Sequence, residues 1–330
     1  MKADHLVKIL AERGVASRRG SEKLVRAGEV TVDGHVVDEP GALVEPGVQT
    51  ILVGGEPLPA RPKPVYLVLH KPKAVITSRT DPEERRTVFD VLEEVHPSVA
   101  SVGRLDYWTE GLLLLTNDGE LAYRLTHPSY QVPKVYLVKV TGTPQPRKLK
   151  ELERGVELED GKTGPAAVEI VRTVGPSSWL LITLCEGRNR IVRRMVEDVG
   201  HRVLKLKRVG FGGISLKGLD VGATRELSRG EIDHLKRLVA RPTNKPRLNV
   251  PFQVREAVAE ALHLPKPERP RREDRVRHRD GEGRPYRKKG WARPKAKSKR
   301  TGPASTRGRK SGGRGGRGSG GKQSGGNSKR

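Results

Sequence analysis

The chain has 330 residues with 65 Lys and Arg against 39 Asp and Glu, a formal net charge of +26. One cysteine, Cys185, excludes an internal disulfide and leaves no cysteine cluster for zinc. No run of about 18 apolar residues exists, which excludes a membrane-spanning helix. The amphipathic N-terminus contains acidic residues early, unlike a signal peptide. We therefore expect a cytoplasmic protein without a membrane partner.

Most of the positive charge lies near the C-terminus. Residues 241–330 hold 28 Lys and Arg against 7 Asp and Glu, whereas residues 1–240 hold 37 against 32. The basic segment has few apolar side chains to offset the entropy cost of ordering its backbone. We predict disorder from about residue 245, apart from a short helix in "VREAVAEALHL". Such a tail favours binding to a polyanion such as RNA, and the alternative is a solubilising extension.

Residues 1–60 predict a small module of two helices followed by a hairpin. Each helix has a candidate N-cap, Asp4 or Ser17, and a glycine that ends it, Gly14 or Gly28. Apolar residues then alternate around an Asp-Gly turn in "EVTVDGHVV". The pattern resembles the S4 RNA-binding domain. The module carries a cluster of basic residues, Arg13, Arg18, Arg19, Lys23 and Arg26. Such a cluster forms either a solvated face or a contact with the phosphate backbone of RNA.

A proline-rich linker, "PLPARPKP", precedes a second region at residues 61–240. Strands are predicted in "VYLVLHKP", "AVITS", "GLLLLTND", "KVYLVKVTG", residues 164–185 and "VLKLKRVGFGGISLKGL". Helices are predicted in "TVFDVLEEV", "DGELAYRLTH" with an Asn117 or Asp118 cap, "KLKELERGVEL", "RNRIVRRMVEDVG" and "SRGEIDHLKRLV". The order lacks regular βαβ alternation and a Gly-rich nucleotide loop. It predicts an α+β fold on a mixed, largely antiparallel sheet, with domains 1–60, 61–240 and a tail 241–330.

The main candidate for chemistry is "GRLDYWTEGLLLLTNDG", residues 103–119. An aspartate after a strand is more often a turn former or a helix cap, and Asp118 is fully explained in that way. Asp106 differs because Arg104 precedes it and its flanks are apolar. A carboxylate there would be partly desolvated and would need a cationic partner to stay ionised. In that state it is a competent nucleophile. No histidine or acidic spacing suits a metal.

The same stretch resembles the signature of pseudouridine synthases of the ribosomal small-subunit synthase A type. "LHKPKAVITSRTDP", "HPSYQVPKVYLVKVTG" and "EGRNRIVRRMVEDVGHRVLKLKRVGFGG" resemble that family in the same order. The resemblance implies isomerisation of a uridine in RNA, in which the base–sugar C–N bond breaks, the base turns and a C–C bond forms, without metal or cofactor. It implies Asp106 as nucleophile, Tyr136 as the aromatic that stacks on the base, and Arg193 as the cation paired with Asp106.

Several alternatives stay open at this point. Asp106 could add to C6 of the base or act at C1′ of the sugar. Tyr136 could be an ordinary core tyrosine, and Arg193 part of a plain basic face. Trp108, Ile191 and Ala74 depart from the usual residues of the family. The further candidate RNA contacts are Lys71, Arg104, Lys134, Arg188, Arg190 and Arg194. The two lysines among them are equally well explained as exposed strand residues.

The basic tail resembles that of the branch of this family that modifies the large ribosomal subunit. We therefore expect the partner to be rRNA within ribosome precursors, and 23S rRNA rather than 16S rRNA. The alternatives are a 16S enzyme of the same family and a non-catalytic RNA-binding or ribosome-assembly protein. A pure binder has no use for a desolvated Asp106 facing Arg193.

Overall fold

A computed structural model describes residues 3–92 and 99–268 of the chain. Its N-terminal part is a four-stranded sheet in the order β3-β2-β5-β6, a separate β1–β4 pair and two helices. Leu6, Leu10, Val25 and Val30 are fully buried in the core between them. The elements are β1 (Asp4–His5), α1 (Leu6–Glu12), α2 (Arg18–Arg26), β2 (Val30–Val32), β3 (His35–Val36), β4 (Leu43–Val44), β5 (Ile51–Val53) and β6 (Glu56–Pro57).

Local sequence predicted most of this N-terminal part. Ser17 caps α2 by accepting a backbone N–H at 3.1 Å, as expected. The hairpin turns at Asp33 and Gly34, where φ is 51° and 83°, the left-handed values that this turn requires. The predicted cap of α1 is wrong. Asp4 pairs with β4 as part of β1, so the helix begins only at Leu6.

The larger part is built on one sheet in the strand order β13-β14-β10-β15-β9-β7-β17, to which β8 and β16 add at β9 and β15. The strand neighbours are antiparallel except for β15 and β9, which confirms the predicted α+β class. The elements are β7 (Tyr66–Lys71), β8 (Ala100–Ser101), β9 (Glu110–Thr116), α3 (Gly119–Thr126), β10 (Lys134–Thr141), α4 (Pro146–Arg154), β11 (Glu157–Leu158), β12 (Gly161–Lys162), β13 (Ala167–Val174), β14 (Ser177–Leu184), α5 (Ile191–Asp198), β15 (Val203–Phe211), β16 (Ile214–Ser215), β17 (Thr224–Glu226), α6 (Arg229–Leu238) and α7 (Phe252–Ala261).

The leucine run of β9 lies at the centre of this sheet and is covered on both faces. Leu112 and Leu114 pack in the cluster that includes α3 and α6. Leu113 and Leu115 point to the opposite face and pack with β7. Because successive side chains of a strand point to opposite faces, a strand covered on both sides has a continuous apolar sequence. Asp106 lies four residues before this strand, whose residues 111–116 are all buried.

Two predicted elements are wrong. "AVITS" forms only an isolated bridge between Ile76 and Thr87. The helix predicted in "TVFDVLEEV" is absent from residues 87–92, and the rest of that segment lies outside the described residues. The carboxylate of Asp90 accepts hydrogen bonds from the backbone N–H and the hydroxyl of Thr87, at 2.8 and 2.9 Å. This local capping closes a turn in place of a helix.

The segment after α6 packs on the sheet. The predicted short helix is confirmed as α7, and its Val254 and Val258 are fully buried against strands β10 and β15. Arg172 donates to the carbonyl of Leu262 at 2.6 Å. The prediction of disorder is wrong for residues 245–253, where the Arg247 guanidinium donates to the Tyr130 carbonyl at 3.0 Å and Val250 packs on the same apolar face of the sheet. Residues 269–330 lie outside the described part.

Gly111 pairs with Arg208 where the backbone of β9 passes close to that of β15. Its φ is +132°, and a Cβ built on it would lie 2.3 Å from the carbonyl oxygen of Arg208. We expect Gly111→Ala to lower the free energy of unfolding by about 3 kcal/mol, because the two strands must separate. Urea denaturation measures the loss. Gly119→Ala, whose added Cβ meets no atom within 4 Å, is the control, and equal midpoints for the two variants would contradict the expectation.

No helix in residues 3–92 and 99–268 is long and apolar enough to cross a bilayer.

Candidate active site

Asp106 and Tyr136 line the same cleft, at the centre of the large sheet. Asp106 comes from the segment before β9, whereas Tyr136 lies in β10. The loop before α5 and strand β15 form the other walls. The basic side chains that line the cleft are Arg104, Lys134, Arg188, Arg190 and Arg208. The cleft therefore combines a carboxylate and an aromatic ring with a mainly positive lining.

Asp106 is half-buried and begins a tight turn. The backbone N–H of Thr109 donates to the Asp106 carbonyl at 2.9 Å and closes that turn. The Thr109 hydroxyl lies 3.4 Å from the Asp106 carboxylate, a weak contact. Within the described part of the chain, no cation lies within 4.0 Å of the carboxylate. The acidic oxygens are thus held at the cleft with most of their hydrogen-bonding capacity free.

Lys71 fixes the backbone around Asp106. The side chain is fully buried, so the predicted phosphate contact is wrong for this residue. Its Nζ donates to the carbonyls of Pro72, Asp106, Tyr107 and Thr109 at 3.0, 3.2, 3.4 and 3.0 Å. Burial lowers the pKa of the amine to about 8, and the negative charge of Asp106 opposes that shift. The ammonium group therefore serves as an internal clamp on the turn.

Lys134 is also buried, at 7% exposure. Its Nζ donates to the carbonyls of Val132 and Cys185 at 3.1 and 3.2 Å and lies over the ring of Phe211. Burial, and next the charge of Arg208, lower the pKa of Lys134 to about 8. Although Lys134 lines the cleft, its amine is hydrogen-bonded to backbone carbonyls in the interior. The predicted contact with phosphate is wrong here as well.

Tyr136 forms the inner wall of the cleft together with a residue that sequence reasoning missed, Arg208. The two face each other across β10 and β15, and they are 8% and 3% exposed. The Nε of Arg208 donates to the Leu112 carbonyl at 2.7 Å, but its Nη2 is buried with no partner in the described residues. Burial lowers the pKa of Arg208, and the Tyr136 hydroxyl opposes that shift. The available clue was the alternation of β15, which puts Arg208 on the buried face with Leu206.

Arg193 lies beside Asp106 without touching it. Its side chain projects from α5 toward a depression next to the cleft, so the predicted contact ion pair is not formed. Burial, and next the charge of Arg190, lower the pKa of Arg193, while the charge of Asp106 opposes the shift. The Nε of Arg193 is buried with no partner among the residues described. The two groups interact through space and not through a hydrogen bond.

Two further predicted RNA contacts form ion pairs near the surface. The guanidinium of Arg194 donates two hydrogen bonds to the Asp160 carboxylate, at 2.7 and 3.0 Å. Arg188 bonds Asp160 and Glu186, each at 3.0 Å. Because both guanidinium groups are paired with carboxylates, the prediction of phosphate contacts is weakened for both, although Arg188 still lines the cleft.

The remaining predicted contacts lie at the surface or near it. Arg104 and Arg190 are exposed at the cleft. On α2, Arg18, Arg19 and Lys23 are exposed, and Arg26 is exposed and pairs at 3.1 Å with a glutamate one turn earlier. Arg13 is half-buried and donates to the backbone carbonyl of residue 59 at 3.1 Å. No group of three or more acidic, histidine or cysteine side chains in the described ranges is placed to hold a metal ion.

Comparison with known proteins decides the family. The family model described as RNA pseudouridylate synthase matches residues 65–198, and that of the S4 domain matches residues 6–49. The chain is 44% identical over 237 residues to the ribosomal large subunit pseudouridine synthase B of Bacillus subtilis, which covers 71% of this chain and 96% of that relative. The chain belongs to the RNA pseudouridine synthase family.

Other members support this assignment. A synthase of the same description from Escherichia coli O157:H7 is 42% identical over 248 residues, 73% of this chain and 85% of the relative. The crystal structure of a pseudouridylate synthase aligns with a TM-score of 0.52 and 28% identity over 70% of this chain and 99% of that one. This synthase is therefore an isomerase that acts on RNA, and the alternative of a non-catalytic RNA-binding protein is set aside.

The two buried lysines predict that the synthase gains stability with rising pH. Their pKa is about 8 in the fold, against 10.5 for an unperturbed lysine side chain. At pH values between these two pKa values, the unfolded chain binds more protons than the folded chain, so the free energy of unfolding rises with pH. From about pH 8 to pH 9.5, each lysine adds about 1.5 kcal/mol. In urea denaturation, the free energy of unfolding of Lys134→Met should rise over this pH range by about 1.5 kcal/mol less than that of the unsubstituted chain. Equal rises in the variant and the unsubstituted chain would contradict the lowered pKa.

Proposed function

We propose that this synthase converts one uridine of 23S rRNA into pseudouridine and that Asp106 is its reacting carboxylate. The observation that carries the proposal is the cleft itself, where a half-buried carboxylate without an ion-pair partner in the described residues shares the lining with Tyr136. The two relatives described as large-subunit synthases, at 44% and 42% identity over most of their lengths, support the choice of 23S rRNA.

The geometry suits a nucleoside turned out of its helix. A base inside folded RNA is not accessible to a carboxylate, so the enzyme must extrude it at a cost of a few kcal/mol. Stacking on an aromatic ring is worth about 1–3 kcal/mol per base and offsets that cost. Tyr136 supplies the ring, and Asp106 lies on the same cleft. The exposed guanidinium groups of Arg104 and Arg190 lie at the same cleft, where phosphates of the flanking strand would pass.

The reaction is an isomerisation that these residues support without another reactant. The bond between N1 of uracil and C1′ of ribose breaks, the base rotates, and a bond forms between C5 and C1′. The C5 hydrogen leaves as a proton, and N1 gains a proton. Asp106 serves equally in addition to C6 and in reaction at C1′. Arg193 lies near enough to Asp106 for the two charges to interact through space.

Positive side chains outside the cleft supply general affinity for RNA. The exposed basic residues of α2 belong to the segment that matches the S4 domain. Contacts of this kind with phosphates fix the position of the protein but carry no sequence information. We expect the rRNA to be bound within ribosome precursors in the cytoplasm.

Mapping of pseudouridine in rRNA by sequencing tests this function. A strain that lacks the gene should lose one pseudouridine in 23S rRNA and keep all those in 16S rRNA, and the cloned gene should restore it. Loss of a 16S position instead would overturn the choice of 23S rRNA. An unchanged profile in both rRNAs would overturn the assignment to ribosomal RNA.

A further inference from the structure

Trp108 is a large aromatic side chain that the fold leaves in solvent. It is 62% exposed, although it lies only two residues after Asp106. Its one ring contact in the described part is the edge of Tyr107, with centroids 5.0 Å apart. Burying an indole ring is strongly favourable, so a ring left open beside a reactive cleft is available to a partner.

The turn that presents Trp108 is rigid. It is closed by the hydrogen bond from Thr109 to the Asp106 carbonyl and clamped from inside by Lys71. The backbone N–H of Ala74 also donates to the Tyr107 carbonyl at 2.9 Å. Because the same turn carries Asp106 at its start, these hydrogen bonds fix the backbone of Trp108 relative to the backbone of Asp106.

Positive charge surrounds the indole ring. The depression that Trp108 lines is bordered by four basic side chains and by the half-exposed Leu204, with no acidic side chain in its lining. It adjoins the Asp106 cleft, since Arg190 and Leu206 line both. The four basic residues are Lys73, Arg190, Arg193 and Lys205.

We propose that Trp108 stacks on a nucleobase next to the target uridine while the surrounding cations contact its phosphates. The inference rests on the proposed function, since it supposes an RNA strand at the cleft. An aromatic platform with cations around it is the arrangement that binds single-stranded RNA without reading its sequence. An apolar peptide would satisfy Trp108 and Leu204 but would leave the four charges without partners, so charge complementarity favours RNA.

Two short RNA probes separate stacking from charge attraction. The first is a nine-residue oligouridylate, and the second is the same ribose-phosphate chain without bases. With the full chain, we expect Trp108→Ala to weaken binding of the oligouridylate by about 5- to 150-fold, the range that stacking of one base supplies. Binding of the abasic chain should stay within about twofold. Trp108→Phe keeps a ring and should stay close to the unsubstituted protein.

A matched control is Tyr123→Ala, which removes a ring of 57% exposure that lines neither the cleft nor the depression. It should bind both probes normally. Unchanged oligouridylate affinity in Trp108→Ala would overturn the inference, and so would an equal loss for both probes. Such a failure leaves the proposed function standing. Conversely, rRNA modification that persists in Asp106→Asn removes the proposed role of the carboxylate and leaves the binding result intact.

Discussion

Asp106→Asn is expected to slow pseudouridine formation by about 10⁴-fold or more, the scale seen when a nucleophile is removed. The amide has the same shape and can keep the contact with Thr109, but it has neither the charge nor the nucleophilicity of a carboxylate. Binding should change little, since the RNA is held mainly by basic side chains. Single-turnover assays on an unmodified 23S transcript measure the rate, and filter binding measures the affinity.

Asp118→Asn is the matched control for that experiment. Asp118 caps α3 by accepting the N–H of Leu121 at 3.0 Å, and asparagine is an equally good cap. The control should retain a rate within about twofold of the unsubstituted enzyme, since Asp118 does not line the cleft and an amide can still form a hydrogen bond with the Tyr66 hydroxyl. If Asp106→Asn modified the transcript as fast as Asp118→Asn, Asp106 would have no chemical role.

Lys71→Met is expected to lower the free energy of unfolding by about 3 kcal/mol. Methionine fills the space but leaves four carbonyls without their donor. The carbonyls of Asp106 and Tyr107 keep a second donor, so the loss stays below four full hydrogen bonds. Methionine also removes the free-energy cost of burying an ammonium group, which reduces the loss of stability further. Urea denaturation gives the value.

The same variant should also lose activity under conditions where it is folded. A looser turn misplaces Asp106 in the cleft, and small misplacements of a reacting group cost up to about 100-fold in rate. Lys63→Met, at an exposed lysine that lines neither the cleft nor the depression, controls for the loss of one positive charge and should keep its stability and its rate. A folded Lys71→Met enzyme with normal stability and normal rate would show that the clamp is not needed.

Local sequence predicted the parts of the fold that depend on neighbouring residues. The turn at Asp33 and Gly34 and the caps of α2 and α3 follow from the conformational preferences of one or two residues. The run of leucines in β9 followed from burial on both faces. These local rules failed where a residue pairs with a distant element instead, as at Asp4, whose backbone pairs with Val44 of β4.

The fate of the charged side chains could not be predicted in the same way. Lys71 and Lys134 lie in strands whose pattern says nothing about carbonyls that converge from distant segments. Arg188 and Arg194 both pair with Asp160, which lies 28 and 34 residues earlier in the chain. Similarity of motifs placed Asp106 and Tyr136 on one cleft, but it did not give the separation between Asp106 and Arg193.

The most direct test is a structure of the Asp106→Asn chain bound to a 23S fragment that contains the mapped uridine. We expect this uridine to be turned out of its helix and stacked on the ring of Tyr136, with its C6 or C1′ about 3.5 Å from the side chain at position 106. A complex in which the uridine remains stacked in its helix, or in which the fragment leaves this cleft without a nucleotide, would contradict it.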